Sequence, residues 1–119
     1  MYKRQVSPDE ARRLSADWWI GRSVHSVAEA RAAQVLGADY LLAGPVYHTA
    51  THPDAAPLGL EPLREITRLG VPVIAIGGVT PERVPALAEA GVHGVAAIRA
   101  IWDAADPAGS AGAMLEAVA

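Results

Sequence analysis

Short apolar runs alternate with mixed stretches along the whole chain, and Gly or Pro stands at most of the joints. Ser7-Pro8-Asp9-Glu10 has the form of a helix start, with Ser7 as N-cap, Pro8 at the first helical position and Glu10 three residues after the cap. That helix is predicted to fade near Asp17, and Trp18 to Ser23 reads as a strand. Ser26-Val27-Ala28-Glu29 is a second capping box, opening a helix that Gly37 ends. Tyr40 to Ala43 is continuously apolar, as in a strand buried on both faces. From Gly44 to Gly59 the pattern dissolves into Pro, Thr, His and Ala, which predicts a long loop of the kind that usually carries function.

Leu60 to Leu69 reads as a helix ended by Gly70, and Val71 to Ile76 as the clearest strand. Gly77-Gly78-Val79 is a turn, and Thr80-Pro81 starts a helix that ends at Gly91. Gly94 to Ile98 is a further strand, and Asp106-Pro107 precedes an Ala-rich helix. The order is one helix followed by four β/α units, which implies a parallel sheet covered by helices. A weak internal repeat supports it: Gly37-Ala38-Asp39-Tyr40-Leu41-Leu42 and Gly91-Val92-His93-Gly94-Val95-Ala96 each run from a helix-ending glycine through a short turn into an apolar strand. Of the neighbours Trp18 and Trp19, strand alternation predicts one toward each side of the sheet, both in packed positions.

Composition narrows the chemistry. The chain has 119 residues, enough for one small domain, with 51% hydrophobic and 19% charged residues. A net charge of −3 argues against a nucleic-acid partner but not against a small phosphorylated ligand, which backbone N–H groups can hold. The absence of cysteine excludes disulfides, thiolate metal sites and a cysteine nucleophile. Lys3, almost at the terminus, is the only lysine, so a Schiff-base mechanism from this chain is not expected. The longest apolar run, Val71 to Val79, is far shorter than the roughly 18 residues of a membrane span. With no signal-peptide pattern at the N-terminus, a cytoplasmic setting is expected.

Five motifs in order carry a family resemblance: Gly21-Arg22-Ser23-Val24-His25-Ser26, Gly37-Ala38-Asp39-Tyr40, Gly44-Pro45-Val46-Tyr47-His48-Thr49-Ala50-Thr51, Leu58-Gly59-Leu60 and Ala75-Ile76-Gly77-Gly78-Val79-Thr80-Pro81. From about Trp18 to about Pro107 the chain resembles the thiamine phosphate synthase and TenI family. The resemblance implies a (β/α)8 TIM barrel of about 200 residues. This chain corresponds to about four β/α units, units five to eight, preceded by the helix of unit four. Residues 1–119 are thus expected to be a single partial barrel domain, with Met1 to Gln5 outside the family pattern. The alternative is a half-barrel that pairs with itself through its open sheet edges.

The resemblance also assigns residues. It implies that Gly78, with its neighbour Gly77, and the pair Ile98-Arg99 bind the phosphate of a thiazole substrate; the family more often has Ser where Arg99 stands. Thr49-Ala50-Thr51 resembles a Thr-x-Thr that contacts the same phosphate. Ser23 matches a serine on the diphosphate of the second substrate. His25 matches the acid–base residue of TenI-type tautomerases, a role that suits imidazole. His52 stands where the synthases usually carry a lysine for the departing diphosphate. Read without the family, Gly77-Gly78 is a tight turn, Thr49-Ala50-Thr51 is loop polarity and His25 is a histidine at the start of a helix. His48 and His93 look incidental, and four scattered histidines have no metal-ligand spacing.

The function so implied is a thiamine biosynthesis transferase that joins hydroxymethylpyrimidine diphosphate to thiazole phosphate and releases diphosphate. Mg²⁺ assists it, held by aspartates on earlier strands, so no metal ligand is expected in this chain. The alternatives are a TenI-like thiazole tautomerase, which needs no metal, and an inactive, truncated phosphate-binding half-barrel. The partners expected are small phosphorylated thiazole and pyrimidine substrates, with no nucleic acid and no membrane. The 119 residues by themselves are expected to make no thiamine phosphate.

Overall fold

Two helix ends show how local sequence sets the frame. After the helix Val27–Val35, Gly37 donates its N–H to Gln34 and Ala38 donates to Ala33, with φ +89° at Gly37. After the helix Val84–Glu89, Gly91 donates to Ala88 and Val92 to Leu87, with φ +96° at Gly91. Both are Schellman ends, in which a residue in the left-handed region closes the last carbonyls and turns the chain. Each leads within a few residues into a strand, so the internal repeat corresponds to one structural unit used twice.

The structure is a computed structural model, and it describes residues 6–14, 16–17, 19–49, 56–97 and 104–118. In chain order the elements are α1 (Pro8–Arg12), β1 (Gly21–Val24), α2 (Val27–Val35), β2 (Tyr40–Ala43), α3 (Leu60–Thr67), β3 (Val73–Ile76), a 3-10 turn (Pro81–Arg83), α4 (Val84–Glu89), β4 (Gly94–Ala96) and α5 (Pro107–Val118). The four strands form one parallel sheet in the order β1-β2-β3-β4. Sequential parallel strands joined by helices are a singly wound sheet, the order found in a barrel, where a doubly wound sheet would reverse. Pairing with any further strand runs through the edge strands β1 and β4.

The register sorts side chains between two faces. Val24, Ala43 and Ala75 share one row, and Leu41 and Val73 the next. All five are buried and cluster with Ala30 and Ala33 of α2, Leu63 and Ile66 of α3, and Val84 and Leu87 of α4. The other face carries Ser23, Tyr40, Leu42, Ile74, Ile76 and Ala96, all only half-buried. Burial of β2 on both faces, as its unbroken apolar run suggests, is therefore not what the structure shows. Helices cover one side, and the side that a closed barrel would fill stays partly open in a four-stranded sheet.

Three further expectations need correction. The first strand begins at Gly21 rather than Trp18, because Ala16 and Asp17 lie in a turn. Trp19 is 80% exposed, not packed, since it precedes the strand and escapes the alternation; Trp18 lies outside the described residues. Ser7 does not cap α1, because its side chain makes no bond to a backbone N–H of the first turn. Its hydroxyl is engaged with Asp9, which holds that carboxyl below its ordinary value. Half of the second capping box forms: the Ser26 hydroxyl accepts from the Glu29 N–H at 3.1 Å, while the Glu29 carboxylate takes the N–H of His25 instead of that of Ser26. No helix among the described residues is long and apolar enough to cross a membrane.

Candidate functional site

All four strands are parallel, so their C-terminal ends lie along one rim, and the segments that leave them are β1–α2, β2–α3, β3–α4 and the one after β4. Barrel enzymes build their sites at this rim. Ser23 is the penultimate residue of β1, on the half-open face of the sheet, and His25 is the first residue beyond that strand. Thr49 lies on the segment that leaves β2, and Gly77-Gly78 follows β3 directly.

The β2 segment is bound to the β3 turn. Val46 donates to the Ile76 carbonyl at 3.0 Å, and Tyr47 donates to the Gly77 carbonyl at 3.1 Å. Two glycines make this approach possible. A Cβ at Gly77, whose φ is +94°, would fall 2.5 Å from Cα of Pro45. A Cβ at Gly78, whose φ is +70°, would fall 2.7 Å from Cβ of Tyr47 and 3.2 Å from the His48 carbonyl. Only glycine adopts that backbone and tolerates that contact at no cost. The far end of the loop is tied back as well, by Leu58 donating to Pro45 at 2.7 Å and Gly59 donating to Val46 at 3.0 Å. The structure thus brings Thr49 and Gly78 to the same corner of the rim. Ala50, Thr51, His52, Ile98 and Arg99 lie outside the described residues.

At the β1 end, the Glu29 carboxylate meets His25 twice and also accepts from the Ser26 hydroxyl at 3.4 Å. It accepts from the His25 N–H at 3.2 Å and lies 3.4 Å from Nδ1 of the His25 ring. A carboxylate can only accept, so this contact places a ring hydrogen on Nδ1; in a neutral imidazole Nε2 then carries the lone pair. The His25 side chain is 59% exposed. Among the described residues no group of three His, Asp or Glu side chains converges. The described donors at this rim include backbone N–H groups, hydroxyls and an imidazole, which can hold an anion.

Sequence reasoning missed Arg83. Its Nη1 donates to the Gly78 carbonyl at 2.6 Å, and its guanidinium carbon lies 4.3 Å from the centre of the Tyr47 ring. The available signal was a cation five residues beyond the glycine pair, in the first turn after Pro81, where the chain can fold back on itself. Glu29 was seen only as a helix-capping residue, although a side chain that caps the N–H of His25 also reaches its ring.

At the opposite end of the sheet, Asp39 accepts from Arg12 Nη2 at 2.8 Å and from the Ile20 N–H at 2.7 Å. The Arg12 hydrogen bond, then that of Ile20, hold its carboxyl below the usual range. This group joins α1 to the starts of the strands, at the end of the sheet away from the rim.

A profile for the family described as thiamine monophosphate synthase matches residues 2–101. A thiamine-phosphate synthase from Caldivirga maquilingensis is 44% identical over 100 residues, which cover 83% of this chain and 49% of that protein. A thiamine-phosphate synthase from Geobacillus kaustophilus is 41% identical over 116 residues, covering 92% of this chain and 52% of that one. Among solved structures, a thiamine phosphate pyrophosphorylase from Pyrococcus furiosus superposes with a TM-score of 0.85 at 36% identity, over 95% of this chain and 55% of that one. The chain spans about half the length of the curated relatives it matches.

Proposed function

Because this chain belongs to the thiamine monophosphate synthase family, we propose that the protein joins hydroxymethylpyrimidine, carried as its diphosphate, to a thiazole phosphate. In that reaction the C–O bond to diphosphate breaks, diphosphate leaves with the electron pair, and the thiazole nitrogen closes a C–N bond to the pyrimidine methylene carbon. The site needs to hold two anions in line and stabilise the leaving group, so positioning and electrostatics supply the catalysis. The observation that carries this reading is the corner where the Thr49 segment is hydrogen-bonded onto the Gly77-Gly78 turn at the strand-end rim.

In this reading the thiazole phosphate accepts from Gly78 N–H, from the hydroxyls of Thr49 and Thr51 within Thr49-Ala50-Thr51, and from the Ile98-Arg99 pair. An arginine where the family favours serine adds a side chain that can pair with the phosphate. Ser23 donates to the diphosphate. In this reading His52 takes the place beside the departing diphosphate where a lysine is usual, and an imidazole, a weaker base than an amine, stabilises that charge less. Mg²⁺, when bound, neutralises diphosphate charge. None of the described residues is assigned as its ligand, and no step here passes through it. A cytoplasmic setting, with substrates that are small and phosphorylated, belongs to the same proposal.

The test is to incubate a whole barrel that contains this chain with both substrates and Mg²⁺ and follow thiamine phosphate and diphosphate, the 119 residues by themselves being expected to form neither. Equimolar formation of the two products is the expected result. Conversion of a thiazole carboxylate phosphate tautomer without pyrimidine or metal, and with no thiamine phosphate formed, would replace this reading by the TenI-like tautomerase.

A further inference from the structure

We propose that Arg83 and Tyr47 form a clasp that sets the spacing between the two halves of the phosphate corner, so that Arg83 is a positioning residue for the thiazole phosphate. The inference rests on the reading above for the identity of the ligand, and on the geometry alone for the clasp. Arg83 reaches both halves at once. Its Nη1 holds the Gly78 carbonyl at 2.6 Å, and its guanidinium lies 4.3 Å from the Tyr47 ring centre. Tyr47 is two residues from Thr49 in sequence, and its own N–H is bonded to Gly77.

The clasp solves a physical problem. Residues 77 and 78 meet the neighbouring segment through backbone alone, with no side chain of their own to hold it, and positive φ at both leaves the turn free of the usual steric limits. Of the two backbone hydrogen bonds that join the segments, the Val46 bond lies in the core, and the half-buried Tyr47 bond is the one that local opening breaks. A planar guanidinium that donates to one carbonyl and stacks on an aromatic face resists both the rotation of the Gly78 peptide and the lifting of the Tyr47 segment. Lysine, a point charge on a flexible stem, keeps the charge but not this two-sided geometry. The opening of the corner, and with it the aim of the Gly78 N–H and the Thr49 hydroxyl, then depends on a residue that need not touch the substrate.

The experiment compares Arg83→Ala, Arg83→Lys, Tyr47→Leu and Tyr47→Phe with the parent, all in a whole barrel that contains this chain. Amide exchange at position 47 is expected to speed up about tenfold in Arg83→Ala and Tyr47→Leu, with the thermal midpoint little changed, and to stay near the parent value in Tyr47→Phe, which keeps the ring. KM for thiazole phosphate is expected to rise about tenfold in the same two variants, while KM for pyrimidine diphosphate and kcat stay close to the parent values. Arg83→Lys is expected to behave like Arg83→Ala. Unchanged exchange at position 47 in Arg83→Ala overturns the clasp, and faster exchange with an unchanged KM for thiazole phosphate overturns its positioning role. If the parent makes no thiamine phosphate, yet Arg83→Ala shows the faster exchange and weaker binding of thiazole phosphate in calorimetry, the proposed reaction fails and the clasp stands.

Discussion

The Glu29 carboxylate lies 3.4 Å from Nδ1 of His25 and accepts from the backbone N–H of the same residue. One side chain thus pins both the main chain and the ring of the histidine at the end of β1. At a pH where the imidazole is neutral, nitrogen NMR is expected to show His25 mainly with its hydrogen on Nδ1. Glu29→Ala is expected to shift that population toward the Nε2–H form. An unchanged tautomer ratio would mean that the carboxylate does not orient the ring.

Ser26 tests the other half of that cap. Its hydroxyl accepts from the Glu29 N–H, so Ser26→Ala leaves a donor at the start of α2 without its partner. The expected loss is about 1 kcal/mol of unfolding free energy in urea titrations. A loss near zero would show that water replaces the hydroxyl at no cost.

Gly78 sits where the Tyr47 side chain leaves no room. Gly78→Ala is expected to destabilise the fold by about 1 kcal/mol or more, from the left-handed backbone and the 2.7 Å approach to Tyr47. Gly78→Asp adds negative charge at the same point and is expected to abolish binding of thiazole phosphate in calorimetry. Retained affinity in Gly78→Asp would take the phosphate away from this corner.

Leu41 is fully buried in the row it shares with Val73, against the helices. Leu41→Ala is expected to cost about 2–5 kcal/mol, the range for a leucine truncated in a packed core. A smaller cost in denaturant titrations would mean that α2 and α3 close over the vacancy.

Asp39 gives a pH signature at the opposite end of the sheet. Its carboxyl is held below 3.8 by the Arg12 and Ile20 hydrogen bonds. The contribution to stability is therefore fully present above that value and is lost as pH falls through the lowered folded-state value. Asp39→Asn is expected to be less stable than the parent at pH 7, and the gap is expected to shrink steadily below about pH 4. A gap independent of pH would show that the charge of Asp39 is not what stabilises the junction.

The local signals were legible in the chain by itself. The α/β alternation, the Ser26 capping box, the turns at Gly37 and Gly91 and the glycine pair after β3 each depend on a few neighbouring residues, whose propensities act within one turn of backbone. Contacts between distant segments were not legible in the same way. That Arg83 folds back onto Gly78 and Tyr47, that Trp19 stays exposed and that Tyr40 and Leu42 are only half-covered depend on where the helices lie against the sheet. Periodicity tells which residues seek cover, but only packing in three dimensions decides which of them find it and which polar groups meet.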